Sequence, residues 1–246
     1  MTLARRPVFA VGAVALAVLL WFGWGWFRDS SLVKVRHVEI TGVSNSPDAV
    51  AIKRELKQAA LGMTTLDVNT AKLDHAVSGY PIVRAVSASG NFPSKIEVTV
   101  HEYEPVAALM APDGQSVPVA FDGTRLPRLA KDKLQLPAVA VSALPQHDGF
   151  ESTRVRTLVG VLAGAPATLR PHLDRAYVAP GGQGILVAMR SGPTLELGTS
   201  SRLAAKWASA TRVLAAPSST GASEIDVRLP ERPAARGFAS VQNPQG

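Results

Sequence analysis

The stretch Lys95–His101, Lys-Ile-Glu-Val-Thr-Val-His, decides the fold of the part of the chain around it. Its apolar residues, Ile96, Val98 and Val100, alternate with polar ones, which is the pattern of a strand with one buried face and one face in water. One-sided burial of this kind is typical of antiparallel sheets. We therefore predict a β-strand at Lys95–His101, in a sheet that is covered on one side.

A second strand is predicted directly upstream, at Val83–Ser89, where it would form a β-hairpin with Lys95–His101. The segment between the two strands, Gly90–Ser94, contains glycine, asparagine, proline and serine, which are residue types that favour turns. We expect Gly90 to adopt a positive φ in this loop, where a β-branched residue is disfavoured. Gly90 and Pro93 should therefore matter for folding and not for function.

Two helices and another strand are predicted further upstream, which gives the order β-α-α-β-β over Lys34–Tyr103. The strand is expected at Val35–Thr41, where apolar and polar residues mix. The longer helix is expected to begin at Ser46 as N-cap, with Pro47 as the first helical residue. A shorter helix is predicted at Thr70–Val77. This order describes a small domain with helices on one face of a sheet.

Downstream of Tyr103 the chain changes to short strands separated by turns, with two longer helical segments. The helices are predicted at Glu151–Ala163 and Ser201–Leu214, where apolar residues recur at helical spacing. Residues 104–229 are expected to form a β-rich domain, with helices packed on an antiparallel or mixed sheet. The fold class is therefore α+β. Strands are predicted at Val106–Met110, Val117–Phe121, Arg125–Leu129, Asp174–Val178, Ile185–Met189, Thr194–Leu197 and Glu224–Leu229.

The last strand, Glu224–Leu229, is expected to lie at a sheet edge, because nothing after it has the pattern of another strand. Residues 230–246 contain several prolines and no core-forming pattern. We expect this tail to be extended or disordered.

The N-terminal segment Pro7–Phe27 has 21 residues without a charge. As a helix it would span about 31 Å, which is enough to cross a hydrocarbon core. Arg5 and Arg6 precede it, so the positive-inside rule places residues 1–6 in the cytoplasm and the rest of the chain outside. The alternative is a cleaved signal peptide, whose apolar region is usually 7–15 residues long. The length favours a retained transmembrane helix at residues 7–27.

The composition argues against several classes of function. The net charge of +7 is spread along the chain and not clustered, so we expect no nucleic-acid partner. There is no cysteine, which excludes disulfides and thiolate metal sites. The sequence contains no phosphate-binding glycine loop, no GxSxG and no HExxH, and the histidines lack metal-ligand spacing. We therefore expect no catalytic residue, no metal, no cofactor and no small-molecule substrate.

Three neighbouring segments resemble the FtsQ (DivIB) family of bacterial division proteins: Tyr-Pro-Ile-Val-Arg-Ala at residues 80–85, Asn-Phe-Pro-Ser-Lys-Ile-Glu-Val-Thr-Val at 91–100, and Glu-Tyr-Glu-Pro-Val-Ala at 102–107. Ile82 stands where the family often has tryptophan. Val38–Gly42 resembles the opening strand of that family's POTRA domain, and Leu195–Gly198 and Ile225–Arg228 resemble the end of its β domain. The resemblance implies a cytoplasmic tail (1–6), a membrane helix (7–27), a POTRA domain (34–103) and a β domain (104–229).

The resemblance also implies a function. Proteins of this family have no known catalysis; they bind FtsB and FtsL, two small coiled-coil division proteins, and through them help to control septal peptidoglycan synthesis. The implied location is the bacterial inner membrane at the division septum, with the N-terminus in the cytoplasm. Relatives hold FtsB next to their C-terminal strand. Carried onto this sequence, the implied contact positions are Leu229, Glu231, Arg232 and Phe238, with Ile225 and Val227 shaping the strand.

Two other functions stay open from the sequence. A membrane-anchored enzyme acting on cell-envelope material would need a polar cleft with convergent titratable groups. A POTRA module of a secretion or outer-membrane assembly system would usually carry several POTRA copies or a following barrel, and we find one copy and no barrel-length chain. The C-terminal tail could also be a loose end in which Phe238 is incidental.

Overall fold

A computed structural model describes residues 34–43, 47–129 and 134–238. The chain divides between Tyr103 and Glu104 into two compact units. The predicted membrane segment Pro7–Phe27 and the expected helix start at Ser46 lie outside the described residues. Within the described ranges, no helix combines the length and the apolar character needed to cross a membrane.

The first unit has the order β-α-α-β-β, as predicted. In its three-stranded sheet the order is β1-β3-β2, with β1 parallel and β2 antiparallel to β3. The predicted strand at Lys95–His101 and the helix at Thr70–Val77 are confirmed. The elements are β1 at His37–Thr41, α1 at Ala49–Leu61, α2 at Thr70–Val77, β2 at Val83–Asn91 and β3 at Lys95–Glu102.

The core of this unit lies between one face of the sheet and the two helices. Ile96, Val98 and Val100 of β3 are buried as their alternation predicted. They share this core with apolar residues of the helices, among them Leu56 of α1 and Leu73 of α2. Burial of each such side chain contributes about 1.5–3 kcal/mol, so the alternating pattern of β3 largely determines which face of the sheet the helices cover.

The start of α1 differs from the prediction. The helix begins at Ala49 with Asp48 as its N-cap, so Pro47 precedes the cap and is not the first helical residue. The first hydrogen bond of helical spacing runs from the Ile52 amide to the Asp48 carbonyl, at 2.9 Å. The difference from the predicted start is two residues, which is within the usual uncertainty of helix ends.

The hairpin loop is shorter than predicted, and the expected role of Gly90 was wrong. Strand β2 extends to Asn91, so Gly90 pairs with Ile96 inside the ladder and does not have a positive φ. A glycine is needed at position 90 because another part of the backbone lies too close for a side chain. A Cβ at position 90 would lie 2.0 Å from the carbonyl oxygen of Thr65, a residue of the α1–α2 connection.

The second unit is a mixed eight-stranded sheet in the order β11-β10-β9-β8-β7-β6-β4-β5, with parallel pairs at β9–β10, β6–β7 and β4–β6. This agrees with the expected β-rich domain. Its elements are β4 at Ala107–Met110, β5 at Ser116–Val119, β6 at Ala138–Ala140, α3 at Thr153–Ala163, β7 at Leu173–Val178, β8 at Ile185–Met189, β9 at Thr194–Gly198, α4 at Leu203–Leu214, β10 at Glu224–Asp226 and β11 at Ala234–Arg236.

One strand predicted for this unit does not form. Arg125–Leu129 contributes only a single bridge, between Arg125 and Val119, and then turns through a hydrogen bond from the Leu129 amide to the Leu126 carbonyl. Conversely, β6 and β11 were not predicted. Each has only three residues, which is too short for an alternating pattern to be recognised.

The C-terminal end of α3 is tied to α4. The last carbonyls of a helix have no partner within it, and here the indole Nε1 of Trp207 on α4 donates to the Val161 carbonyl at 3.1 Å. Arg170 donates to the carbonyls of Ala163 and Ala165, at 3.2 and 3.0 Å. Because Trp207 is also buried in the core, α4 is held against α3 and packs on β9.

Candidate partner-binding edge

Strand β11 forms one edge of the eight-stranded sheet. It pairs antiparallel with β10, with Ala234 opposite Asp226 and Arg236 opposite Glu224. The expectation that Glu224–Leu229 would be the edge strand and that no strand would follow Pro230 was therefore wrong. No other described strand lies beside β11. An edge of this kind presents backbone groups that can pair with another chain.

One face of this edge belongs to the core. Ile225 of β10 and Val227, the first residue after β10, are completely buried. Ala235 of β11 is partly buried and packs against the same core cluster. Ile225 is paired with Leu195 of β9, which is also fully buried. The burial of Ile225 and Val227 leaves them no surface for an incoming chain, so these residues act by holding the strands in place.

The opposite face carries a network of carboxylates and arginines. Arg228 donates to both carboxylate oxygens of Asp226, at 3.1 and 2.7 Å, and pairs with Glu196 at 3.1 Å. Arg236 of β11 also donates to Asp226, at 3.0 Å. Asp226 therefore links the edge strand to its neighbour through side chains as well as through the backbone.

The network separates the pKa values of its two central carboxyl groups. Hydrogen bonds from Arg228 lower the pKa of Asp226 below its ordinary value, and the charge of Arg236 adds to the effect. Burial raises the pKa of Glu196, and the neighbouring Asp226 carboxylate raises it further. The two arginines thus favour the ionised form of Asp226. The ionised form of Glu196 is disfavoured, because Glu196 is partly buried and lies beside a second acid.

The loop between β10 and β11, residues 227–233, is fastened at several points. The Arg228 amide donates to the Asp226 side chain at 3.0 Å, and the Arg232 amide donates to the Leu229 carbonyl at 2.9 Å. Glu231 forms an ion pair with Arg202, at the start of α4, and Pro230 is buried. In this setting Leu229 is 63% exposed, so the loop holds an apolar side chain out in solvent.

The chain turns sharply at the end of β11. Gly237 has a φ of +67°, and a Cβ there would lie 2.0 Å from the Ser223 hydroxyl oxygen. The amide of Ser223 donates to the Arg236 carbonyl at 3.0 Å, which fixes this end of β11. Phe238 follows the turn and is 50% exposed. A large aromatic side chain therefore lies two residues beyond the edge strand.

The sequence-predicted contact positions flank the edge strand β11 along the chain. Leu229, Glu231 and Arg232 lie in the loop that leads into β11, and Phe238 lies just after it. The residues that sequence reasoning missed are those of β11 itself, Ala234–Arg236. The signal that could have found them is the position of this short segment between Pro233 and Gly237, two residues that commonly bound strands.

The family comparison concerns the first unit. A family model described as POTRA domain, FtsQ-type, matches residues 33–103, the part of the chain that contains β1, α1, α2, β2 and β3. A comparison with curated proteins finds no match. A domain of this type indicates a protein of bacterial cell division that works through contacts with other proteins. Residues 33–103 are therefore a POTRA domain of FtsQ type, which confirms the family resemblance over this part of the chain.

Proposed function

We propose that this chain is a non-enzymatic scaffold of the bacterial division machinery. It binds small coiled-coil division proteins similar to FtsB and FtsL outside the cytoplasm, and through them it helps to regulate septal peptidoglycan synthesis. The observation that carries the proposal is the FtsQ-type POTRA domain at residues 33–103. The open strand edge at the C-terminal end of the second unit supplies a surface for such partners.

The binding mode that suits this surface is strand addition. An extended partner segment pairs with the free side of β11, gaining affinity from main-chain hydrogen bonds and specificity from the side chains beside it. The network around Asp226 supports this mode because it braces β11, a strand of three residues, against β10. A braced edge loses little conformational entropy when a further strand is added.

Exposed side chains at both ends of β11 complete the surface. Leu229 precedes the strand and Phe238 follows it, and both are at least half exposed. Glu231 and Arg232 add an exposed acid and an exposed base in the loop. Aromatic residues and arginines are enriched among the residues that dominate binding energy, so we assign the main side-chain anchor to Phe238.

The test is the affinity of the purified full-length chain for the extracytoplasmic segment of its FtsB-like partner. Phe238→Ala should weaken binding at least tenfold, about 1.4 kcal/mol. Phe121→Ala is the matched control, because Phe121 is 57% exposed and lies two residues beyond β5, the opposite edge strand. Equal affinities for both variants and the parent would remove Phe238 from the interface.

Two truncated chains distinguish the contribution of β11 to the affinity from that of Phe238. A chain that ends at Gly237 keeps β11 and loses Phe238, so its affinity should equal that of Phe238→Ala. A chain that ends at Leu229 also loses β11, and its affinity should fall further. If the chain ending at Leu229 stays folded by circular dichroism and binds like the parent, strand addition at β11 is wrong.

The proposed location is the inner membrane, with residues 1–6 in the cytoplasm and both structured units outside. The support is the uncharged segment Pro7–Phe27 that follows Arg5 and Arg6. An alkaline phosphatase fused after Gly246 should then be active. An inactive fusion, with the chain in the membrane fraction, would show the opposite orientation.

A further inference from the structure

Three segments of the POTRA domain meet where its described chain begins. Lys34 forms an antiparallel bridge with Thr64, and the amides of Arg36 and His37 donate to the Ser94 carbonyl, at 2.8 and 3.1 Å. The Thr65 hydroxyl donates to the Pro93 carbonyl at 3.3 Å. We call residues 34–36, 62–67 and 92–94 together the basal tip.

The basal tip exposes apolar side chains. Phe92 is 69% exposed and Leu66 is 44% exposed, and they lie on the two loops that the bond from Thr65 to Pro93 joins. Single exposed apolar residues are ordinary on protein surfaces. Here two large ones lie on loops that a hydrogen bond joins, and each is next in sequence to one of the bonded residues.

Cationic side chains lie in the same part of the domain. Lys34 and Arg36 are exposed, and they begin the segment that runs between the loops of the tip. Exposed phenylalanine and leucine side chains beside lysine and arginine are a combination found in protein segments that bind at the boundary between membrane and water. The charge complements a surface of anionic lipid headgroups.

The position of the tip along the chain identifies the surface that it meets. The predicted membrane span ends at Phe27, and Lys34 follows seven residues later. A fully extended chain covers at most about 3.6 Å per residue, so Lys34 lies within about 25 Å of the end of the span. If residues 7–27 span the membrane as proposed, the basal tip contains the described residue that follows the span most closely along the chain.

We propose that the basal tip contacts the lipid bilayer directly. Phe92 and Leu66 enter the headgroup region, and Lys34 and Arg36 lie against anionic headgroups. This contact rests on the proposed membrane attachment of residues 7–27, and it would fix the orientation of the POTRA domain relative to the membrane.

The test uses the full-length chain in vesicles of phosphatidylethanolamine and phosphatidylglycerol. Since the chain has no cysteine, a fluorophore can be attached at a single introduced one. Leu66→Cys places it in the tip, with Phe92 intact. Val50→Cys is the control, because Val50 is 80% exposed and lies at the opposite end of α1, which is about 20 Å long.

A lipid with a nitroxide on its headgroup should quench the probe at position 66 at least threefold more than the probe at position 50. Adding Phe92→Ser to Leu66→Cys should reduce the quenching toward that of the control. Equal quenching at positions 66 and 50 would overturn the proposal.

A carbonate wash of the same vesicles tests the attachment separately. If the chain resists extraction but shows no excess quenching at position 66, the membrane anchor is supported and the lipid contact is refuted. If the probe at position 66 is quenched before the wash but the wash then extracts the chain, the lipid contact is supported and the membrane anchor is refuted. Extraction without excess quenching contradicts both proposals.

Discussion

Gly90 shows how a single residue can be required for a reason that its own segment does not reveal. It sits inside β2 with an ordinary φ, and the constraint comes from the Thr65 carbonyl oxygen, 2.0 Å from where a Cβ would lie. The obstacle is backbone, which cannot rotate away as a flexible side chain could. The α1–α2 connection must move to accommodate any side chain at position 90.

We predict that Gly90→Ala destabilises the POTRA domain by about 1–3 kcal/mol, the usual cost of overpacking, and that Gly90→Val costs more. Thermal unfolding followed by circular dichroism measures the effect. Gly79→Ala is the control, because a Cβ at position 79 would meet nothing within 4 Å. If Gly90→Ala melts at the same temperature as the parent and Gly79→Ala, the close approach of Thr65 is wrong.

Asp226 is the second residue that decides a local structure, since it accepts hydrogen bonds from Arg228, in the loop after β10, and from Arg236 of β11. Its pKa is lowered on folding. A carboxyl group of this kind stabilises the folded state above its unfolded pKa, and the stabilisation is lost as the pH falls through the folded value. The effect is therefore complete at neutral pH and disappears in acid, below the ordinary value of 3.8.

We predict that Asp226→Asn lowers the stability of the second unit at pH 7 by about 1–2 kcal/mol. Hydrogen bonds to a charged group contribute about 1.5–3 kcal/mol, and the loss is reduced because the substitution also removes a like charge beside Glu196. The difference in melting temperature from the parent should narrow as the pH falls below 3.8. A difference that stays constant with pH would show that the ionised carboxylate contributes nothing.

At the scale of elements, α4 is fastened to the sheet by a buried lysine. Lys206 is 3% exposed, and its Nζ donates to the carbonyls of Leu197 and Thr199, both at 2.8 Å. Burial lowers the pKa of Lys206, and the charge of Arg202 lowers it further. The lysine thus satisfies carbonyls at the end of β9, next to the edge that carries β10 and β11.

We predict that Lys206→Met destabilises the second unit by about 1–3 kcal/mol, because the carbonyls of Leu197 and Thr199 lose their donor. The loss is partly offset, because the charged ammonium no longer has to be desolvated. Arg212→Met is the control on the exposed side of the same helix and should change stability by less than about 0.5 kcal/mol. Chemical denaturation of both variants gives the comparison. Equal stabilities would mean that water replaces the ammonium at no cost.

Elements with a strong local signal were predictable from the sequence. The alternation of β3 and the helix α2, whose N-cap Asn69 accepts a hydrogen bond from the Lys72 amide, depend on neighbouring residues alone. The short strands β6 and β11 depend on the strands that they pair with, and no local pattern marks them. The supposed strand at Arg125–Leu129 has suitable residues but pairs at a single bridge.

The candidate site was predictable only in part, for the same reason. The exposed positions Leu229 and Phe238 could be inferred from the family resemblance, but the strand between them could not. Ala234 and Ala235 are small and carry no strand signal, and Pro230 and Pro233 suggest a loop. It is the pairing with β10 that makes this segment a strand.

At the scale of the whole molecule, the two units have separate tasks in the proposed function. The FtsQ-type POTRA domain indicates a division protein, and its basal tip is proposed to meet the membrane. The second unit ends in an open edge that is braced from both faces. The central claim is that a division partner adds a strand to this edge.

Disulfide cross-linking tests that claim most directly. With no native cysteine in the chain, Ala234→Cys places one thiol on the outer face of β11, and Ser116→Cys places a control thiol on β5, the opposite edge. Single cysteines are then introduced at successive positions of the FtsB-like partner's extracytoplasmic segment. If the partner adds as a strand, position 234 should cross-link to alternate partner residues, because side chains on one face recur every second residue. Cross-links at position 234 that are no stronger than those at position 116, or that show no alternation, would contradict strand addition at β11.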